Sequence, residues 1–249
     1  MTLEGKVALV TGGTMGIGAA TALALAREGA EVAISARRND AEAQSTLEAI
    51  RAAGVRAEFI QADFSRPEDA TRSVEETVKR LGCLDILVHA AGGAVNGGLL
   101  EISPDQWYAA FDVHVHAMFH LSRAAIPHLR ARAGGALVLV SSTAGIRGII
   151  TNIAYQVAKG ALPQFTRALA REFAADNIRV NCVAPGVIRT AFHASMSEAQ
   201  KKLNLEQRIP LRREGTPEQV ASLVLELVKN DYITGESFTI DGGLTMRIA

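Results

Sequence analysis

The sequence predicts an α/β fold: a doubly wound parallel sheet of seven strands with helices on both faces. Two observations predict it. Short apolar runs and longer helix-patterned segments alternate almost without interruption, and the apolar runs are continuous rather than alternating with polar residues. Parallel neighbours need a crossover between them, usually a helix, and a strand covered on both faces has no wet side to encode. No Pro/Gly/Ser-rich linker divides the 249 residues, so residues 1–249 read as a single domain.

The elements follow in order. "KVALVTGG" is a strand ending in glycines, and "ATALALAREGA" is a helix closed by Gly29. "EVAISA" is the next strand, followed by a helix from an acidic cap to Gly54 in "DAEAQSTLEAIRAAG". "RAEFIQAD" and "LDILVHAAGG" flank a helix with Pro67 at its start. "SPDQWYAAFDVHVHAMFHLSRAAIPHLRAR" reads as one or two helices, and Pro127 should bend or end one of them. "GALVLVSS", a long helix containing Tyr155 and Pro163, "IRVNCVAPG", the capped helix "TPEQVASLVLELVKN" and "SFTIDGG" complete the set. The longest stretch without clear pattern is 187–214, which predicts a substrate lid.

Composition narrows the function. Hydrophobic residues make up 48% of the chain, enough for a sizeable core and too many for a disordered segment. Lys+Arg and Asp+Glu both number 26, so no global field favours nucleic acid or an anionic membrane. Cys83 and Cys182 stand singly beside apolar runs and read as buried thiols, with no metal-ligand spacing. The chain enters its first strand without a leader, and no apolar run reaches the length of a membrane span; the expectation is a cytoplasmic protein.

Ligands of open α/β sheets bind beyond the carboxyl ends of the strands. After the first strand comes "TGGTMGIG", Thr11 to Gly18, including Thr14, Met15 and Ile17. Its glycines at 12, 16 and 18 allow a tight turn, close approach to a phosphate and a helix N-terminus aimed at an anion. Further along, Tyr155 and Lys159 stand four residues apart, on one face of the long helix.

Taken together, "TGGTMGIG", "AAGG", Ser142, "YQVAK", "PGVIRT" and "YITGESFTIDGG" resemble a short-chain dehydrogenase/reductase of the single-domain type, over essentially the whole chain. The resemblance implies a Rossmann-like fold, a nicotinamide dinucleotide and hydride transfer at a ketone or secondary alcohol. It makes Tyr155 the acid/base, with Lys159 beside it and Ser142, thirteen residues before the tyrosine, bonding the substrate oxygen. A phenol of pKa about 10 is a poor base at neutral pH, and a cation at ~4 Å in a partly screened site is worth ~4 kcal/mol, about three pK units. Ser141 is the competing serine.

The same resemblance assigns Asp63 to the adenine ring, Ala91 and Gly92 to the cofactor's side, Thr190 to the carboxamide, and Pro185, Gly186 and Val187 or Ile188 to the nicotinamide. Where NAD-preferring relatives carry an Asp, this chain has Ala36 followed by Arg37 and Arg38, which predicts NADP(H). Two asparagines usually precede the Ala-Gly; here His89 and Ala90 stand there. At the position of a catalytic asparagine of the following helix stands His114, which titrates near neutrality when free; it is expected to replace the asparagine in its relay, the alternatives being a changed pH profile or a packing role alone. His116 and His120 read as structural or surface residues.

Asn96, Arg147, Asn152, Gln156 and His193 form a polar set near the expected pocket. The substrate is expected to be a small-molecule carbonyl or alcohol: a 3-oxoacyl thioester, free or on a carrier protein docked at Arg130, Arg132 and Arg171, or a polar ketone or sugar. The family expectation is a homotetramer. The reading from another class is a non-catalytic NADP(H)-binding sensor or scaffold.

Overall fold

The computed structural model describes residues 2–191 and 196–246. Seven parallel strands form one sheet in the order β3-β2-β1-β4-β5-β6-β7. They are β1 Val7–Thr11, β2 Glu31–Ala36, β3 Ala57–Gln61, β4 Ile86–His89, β5 Gly135–Val140, β6 Ile178–Pro185 and β7 Ser237–Ile240. Between them run α1 Gly16–Arg27, α2 Ala41–Ala52, α3 Pro67–Leu81, α4 Pro104–Phe111, α5 Ala117–Ala131, α6 Ile153–Phe173, α7 Glu198–Leu203 and α8 Pro217–Lys229.

The continuous apolar strands are explained by two cores. Val7, Leu9, Leu87, Leu137 and Leu139 face one side, under Val74 of α3, Met118 of α5 and Leu162 of α6. Their neighbours Ala8, Val10, Ile86, Val88 and Val138 face the other, under Leu25 of α1, Leu47 of α2 and Val224 of α8. Successive side chains point to opposite faces, and both faces are dry.

Local chemistry sets the helix starts. Asp40 accepts the Ala43 N–H ahead of α2. Pro67 opens α3, which Gly82 closes at φ 96°. Ser103 with Gln106, and Thr216 with Gln219, form reciprocal capping boxes at α4 and α8.

Two details differ from the sequence reading. Pro127 does not end its helix, since α5 runs on to Ala131; the interruption is a π-helical turn at Asp112–His116, between α4 and α5. The 187–214 stretch also holds structure: α7, capped by Ser197, and a π-helical turn at Asn204–Arg208. "EAQKKL" is too short to display a helical apolar stripe, and no residue of α7 is buried.

Candidate active site

Strand order reverses between β1 and β4, whose last residues Thr11 and His89 are register partners. A crevice is expected there. Along that carboxyl edge lie Asp63 after β3, Arg37 after β2, the glycine turn after β1, Ala90–Gly93 after β4, Ser142 after β5 and Gly186 after β6.

The glycine turn fits an anionic group by its backbone. Gly12 has φ 65° and Gly16 φ 55°, a region costly for side-chain-bearing residues. A Cβ on Gly12 would lie 2.8 Å from the Ala91 backbone, and one on Gly18 would lie 2.1 Å from Gly12 O. Met15, half-exposed at the N-cap of α1, makes no side-chain cap, and no acidic residue stands in the first turn. The helix start is therefore open to an external acceptor such as phosphate. Thr14 O accepts the Thr46 hydroxyl at 3.0 Å, tying the turn to α2, while Ile17 packs against the core.

At the far end of the edge, Arg37 is exposed and Arg38 pairs loosely with Asp40 at 3.5 Å. Asp63 accepts both the N–H and the O–H of Ser65 at Oδ1. Burial raises its pKa, but these bonds and the charges of Arg37 and Arg66 outweigh it and hold the carboxyl below its ordinary value.

The two histidines at asparagine positions form a reciprocal clamp. His89 bonds the Thr11 hydroxyl through Nδ1 at 2.8 Å and Val113 O through Nε2 at 3.1 Å. Carbonyl acceptance requires a proton on Nε2, so Nδ1 accepts from the Thr11 O–H. Thr11 Oγ1 in turn accepts the Ala91 N–H at 3.2 Å. From the π turn, His114 Nε2 donates back to Gly93 O at 3.1 Å. The two bonds run in opposite directions between the same two segments.

Neither ring titrates near neutrality. Burial, then the nearby Lys159 charge, lowers His89 to about 3 and His114 to about 2. This corrects the expectation that His114 titrates in the working range. Its ring stands edge-on to Tyr155, centroids 5.5 Å apart, and its buried Nδ1 has no hydrogen-bond partner among the described residues. A Cβ on Gly92 would fall 2.1 Å from His114 Cε1, so the ring is packed directly on that backbone.

Across the crevice, Ser142 Oγ accepts the Ala144 N–H at 3.1 Å, and its hydroxyl bonds the half-buried Tyr155 phenol. Ser141 is spent elsewhere: its hydroxyl donates to Lys159 O at 2.7 Å in the core. Lys159 is buried, donates from Nζ to Val140 O at 2.7 Å, and lies 5.8 Å from the centroid of the Tyr155 ring. Burial drives the phenol pKa up, with only the Ser142 bond acting against it, and drives Lys159 down to about 8. The three pK units expected from the lysine alone are not delivered by the protein alone.

The remaining expectations divide. Gly186 lies close to Asp241, where a Cβ would meet the Asp241 Cβ at 2.7 Å. Pro185 ends β6 in the core, and Thr190 lies over the glycine turn, 3.2 Å from where a Gly16 Cβ would be. The Ile188 side chain is withdrawn into the core beside Gly215, leaving Val187 the more accessible of the two.

The polar substrate set mostly dissolves. Arg147 is exposed and donates to Thr245 O, and the Gln156 amide is consumed by Ile149 N and O at 2.7 and 2.6 Å. Asn152 precedes α6 without capping it, Asn96 is exposed, and His193 lies outside the described residues. Arg130 and Arg132 pair with Asp176 and Asp85, which removes two of the three cations of the expected carrier dock. An open concavity of about 490 Å³ lies against the other side of the Ala144–Gly148 segment, lined by Phe111, Ile146, Val157 and Ala161. It includes neither Ser142 nor Tyr155.

Sequence comparison matches residues 12–245 to the family described as Enoyl-(Acyl carrier protein) reductase. Dehydrogenase/reductase SDR family member 4 of Oryctolagus cuniculus is 38% identical over 251 residues, covering 99% of this chain and 96% of that protein. A short chain dehydrogenase from Burkholderia cenocepacia, solved in complex with NADP, superposes with a TM-score of 0.91 at 36% identity, covering 98% of this chain and 99% of the other. L-Sorbose reductase from Gluconobacter frateurii, solved with NADPH and L-sorbose, gives a TM-score of 0.92 at 30% identity, covering 100% of both chains. Whole-length likeness of sequence and fold, over a crevice holding a serine–tyrosine–lysine set beside a glycine turn, assigns this chain to the short-chain dehydrogenase/reductase family.

Proposed function

We propose that the protein is an NADP(H)-dependent oxidoreductase that interconverts a ketone and a secondary alcohol, with Tyr155 as acid/base. The observation that carries this is the Ser142 hydroxyl bonded to the Tyr155 phenol at the carboxyl edge of β5, with a buried lysine behind it. The dinucleotide supplies or accepts the hydride equivalent at the carbonyl carbon when bound at the glycine turn. In reduction, Ser142 positions the carbonyl oxygen and Tyr155 gives it a proton. Charge left on the phenolate is opposed by the Ser142 hydroxyl and by the Lys159 cation. The alternative, a non-catalytic sensor, lacks support from the residues, because a sensor has no use for a paired serine and tyrosine at that edge.

Thr11 to Gly18, Asp63, Ala91, Gly92, Gly186, Val187 and Thr190 are proposed to hold the dinucleotide, with the 187–214 segment as lid. Arg37 supports NADP(H): it is exposed beyond β2, its charge reaches Asp63, and no carboxylate occupies position 36. The complexes of the Burkholderia and Gluconobacter relatives with NADP and NADPH point the same way. A homotetramer is supported by the large apolar side chains exposed on the helices, Phe119 of α5 and Val157 of α6 among them.

The cofactor assignment is tested by steady-state kinetics with both coenzymes. Wild type should favour NADPH in kcat/KM, and Arg37→Asp should shift the ratio towards NADH by ~10–100-fold, the scale of a lost charge-assisted hydrogen bond. Equal efficiency with NADH in the wild type contradicts the assignment.

A further inference from the structure

We propose that Gln61 is a positioning residue for coenzyme choice: its carboxamide holds the backbone that presents Arg37, and so sets the preference for a dinucleotide carrying a 2′-phosphate. The inference rests on the NADP(H) reading of Arg37 and extends it to a residue of the neighbouring strand that acts through that arginine.

β2 and β3 end side by side, with Ala36 and Gln61 as register partners. At that end Ala62 N donates to Ala36 O at 2.9 Å. One residue further β2 is over, and a side chain takes up the bonding: Gln61 Nε2 donates to Arg37 O at 3.0 Å. A carbonyl only accepts, so this bond also fixes which way the Gln61 amide is turned. The chain therefore leaves the sheet at Arg37 with its carbonyl held.

The anchor is itself braced. Gln61 O accepts an Arg72 N–H at 2.8 Å, and the same Arg72 nitrogen donates to Asp69 Oδ1 at 2.6 Å. Asp69 Oδ2 in turn accepts the Asp63 N–H at 2.7 Å. A connected set of bonds thus runs from Arg37 O to Asp63 N through Gln61 and the start of α3. These are the two residues proposed for the adenosine end of the coenzyme, and the Arg37 charge reaches Asp63.

The network fixes main chain and leaves the guanidinium open. Arg38 pairs with Asp40, Arg56 with Glu31 and Arg72 with Asp69, whereas the exposed Arg37 makes no close ion pair among the described residues. A cation on a backbone already ordered binds an anion with less chain left to immobilise, and its planar fork suits a phosphate. A coenzyme without the 2′-phosphate gains nothing from that arrangement, so the effect belongs in the ratio of the two affinities.

The test is a double-mutant cycle in binding, with NADP⁺ and NAD⁺ titrated by calorimetry into wild type, Gln61→Ala, Arg37→Ala and the double variant. The ratio of the two Kd values within one preparation cancels any loss of folded protein. Gln61→Ala should lower the preference for NADP⁺ by about two- to tenfold, the worth of one hydrogen bond. In the Arg37→Ala background it should lower the preference no further. An unchanged ratio in Gln61→Ala where Arg37→Ala lowers it, or an equal further fall in the double variant, overturns the inference and leaves the NADP(H) reading standing. A ratio that Arg37→Ala does not move overturns the reading of Arg37 and the inference with it.

Discussion

The loop between β5 and α6 and the loop after β4 face each other across one crevice, and they keep the family pattern to different degrees. The first, with the start of α6 that follows it, carries Ser142, Tyr155 and Lys159 in the usual residue types. The second has histidines where asparagines usually stand, yet its backbone is tied at Ala91 N–H, held by Thr11 Oγ1 that His89 accepts from, and at Gly93 O, held by His114. The difference separates two kinds of requirement. A proton donor at the substrate oxygen must be a particular group with a particular acidity. A side chain that orders a loop needs only a donor and an acceptor in the right places, and a neutral imidazole offers both.

The contrast is sharpest between adjacent serines. Ser142→Ala should lower kcat/KM by ~10²–10³-fold, since it removes a donor from the reacting oxygen, with the melting temperature little changed. Ser141→Ala should do the reverse, costing about 1 kcal/mol of stability through the lost bond to Lys159 O and leaving the rate within a few fold. Equal effects on rate would erase the distinction between the two regions' serines.

The clamp is broken most directly from the glycine side. Gly92→Ala would place a methyl group 2.1 Å from His114 Cε1, at φ 152°, so the ring or the loop must move. A cost of about 1–3 kcal/mol is expected in denaturant unfolding. His114→Ala should relieve part of it in the double variant, and strict additivity would show that the ring is not what Gly92 makes room for.

A smaller effect is read by pH. Both histidines have folded pKa values far below the unfolded 6.5, so between about pH 6.5 and 4 the unfolded chain binds protons that the folded chain does not. Stability therefore falls as pH falls through that window, by about 1.4 kcal/mol per unit for each histidine. The lowered carboxyls of Asp63, Asp69 and Asp85, with model-compound values of 3.8, contribute only below it. His89→Asn should remove one histidine's share of the slope; an unchanged slope contradicts the burial of that ring as a neutral group.

Much of this was legible in the sequence because strand ends fix where side chains can meet. Continuous apolar runs gave the sheet, and the intervals from "TGGTMGIG" to Ser142 and "YQVAK" placed the reacting groups on one edge. The clamp was not legible, because His89 and Val113 are brought together by the β4–α5 crossover and a π turn whose extra residue leaves no apolar signature. Nor was the fate of the polar pocket set. Arg147 and Gln156 look like ligand groups in a sequence, and only folding reveals that backbone carbonyls and an amide have already taken them. The lysine's partner was hidden for a related reason: spacing of four fixes a shared helix face, while the bond from Nζ to Val140 O depends on how α6 packs on β5.

The central claim is that Tyr155 moves a proton in a reaction driven by NADPH, and single-turnover measurement with bound NADPH and a reducible ketone tests it most directly. Wild type should oxidise the coenzyme, and Tyr155→Phe should bind NADPH with unchanged Kd while oxidising it ~10³-fold more slowly, in the middle of the range for general acid catalysis. A Tyr155→Phe protein that oxidises NADPH within tenfold of the wild-type rate would contradict the claim.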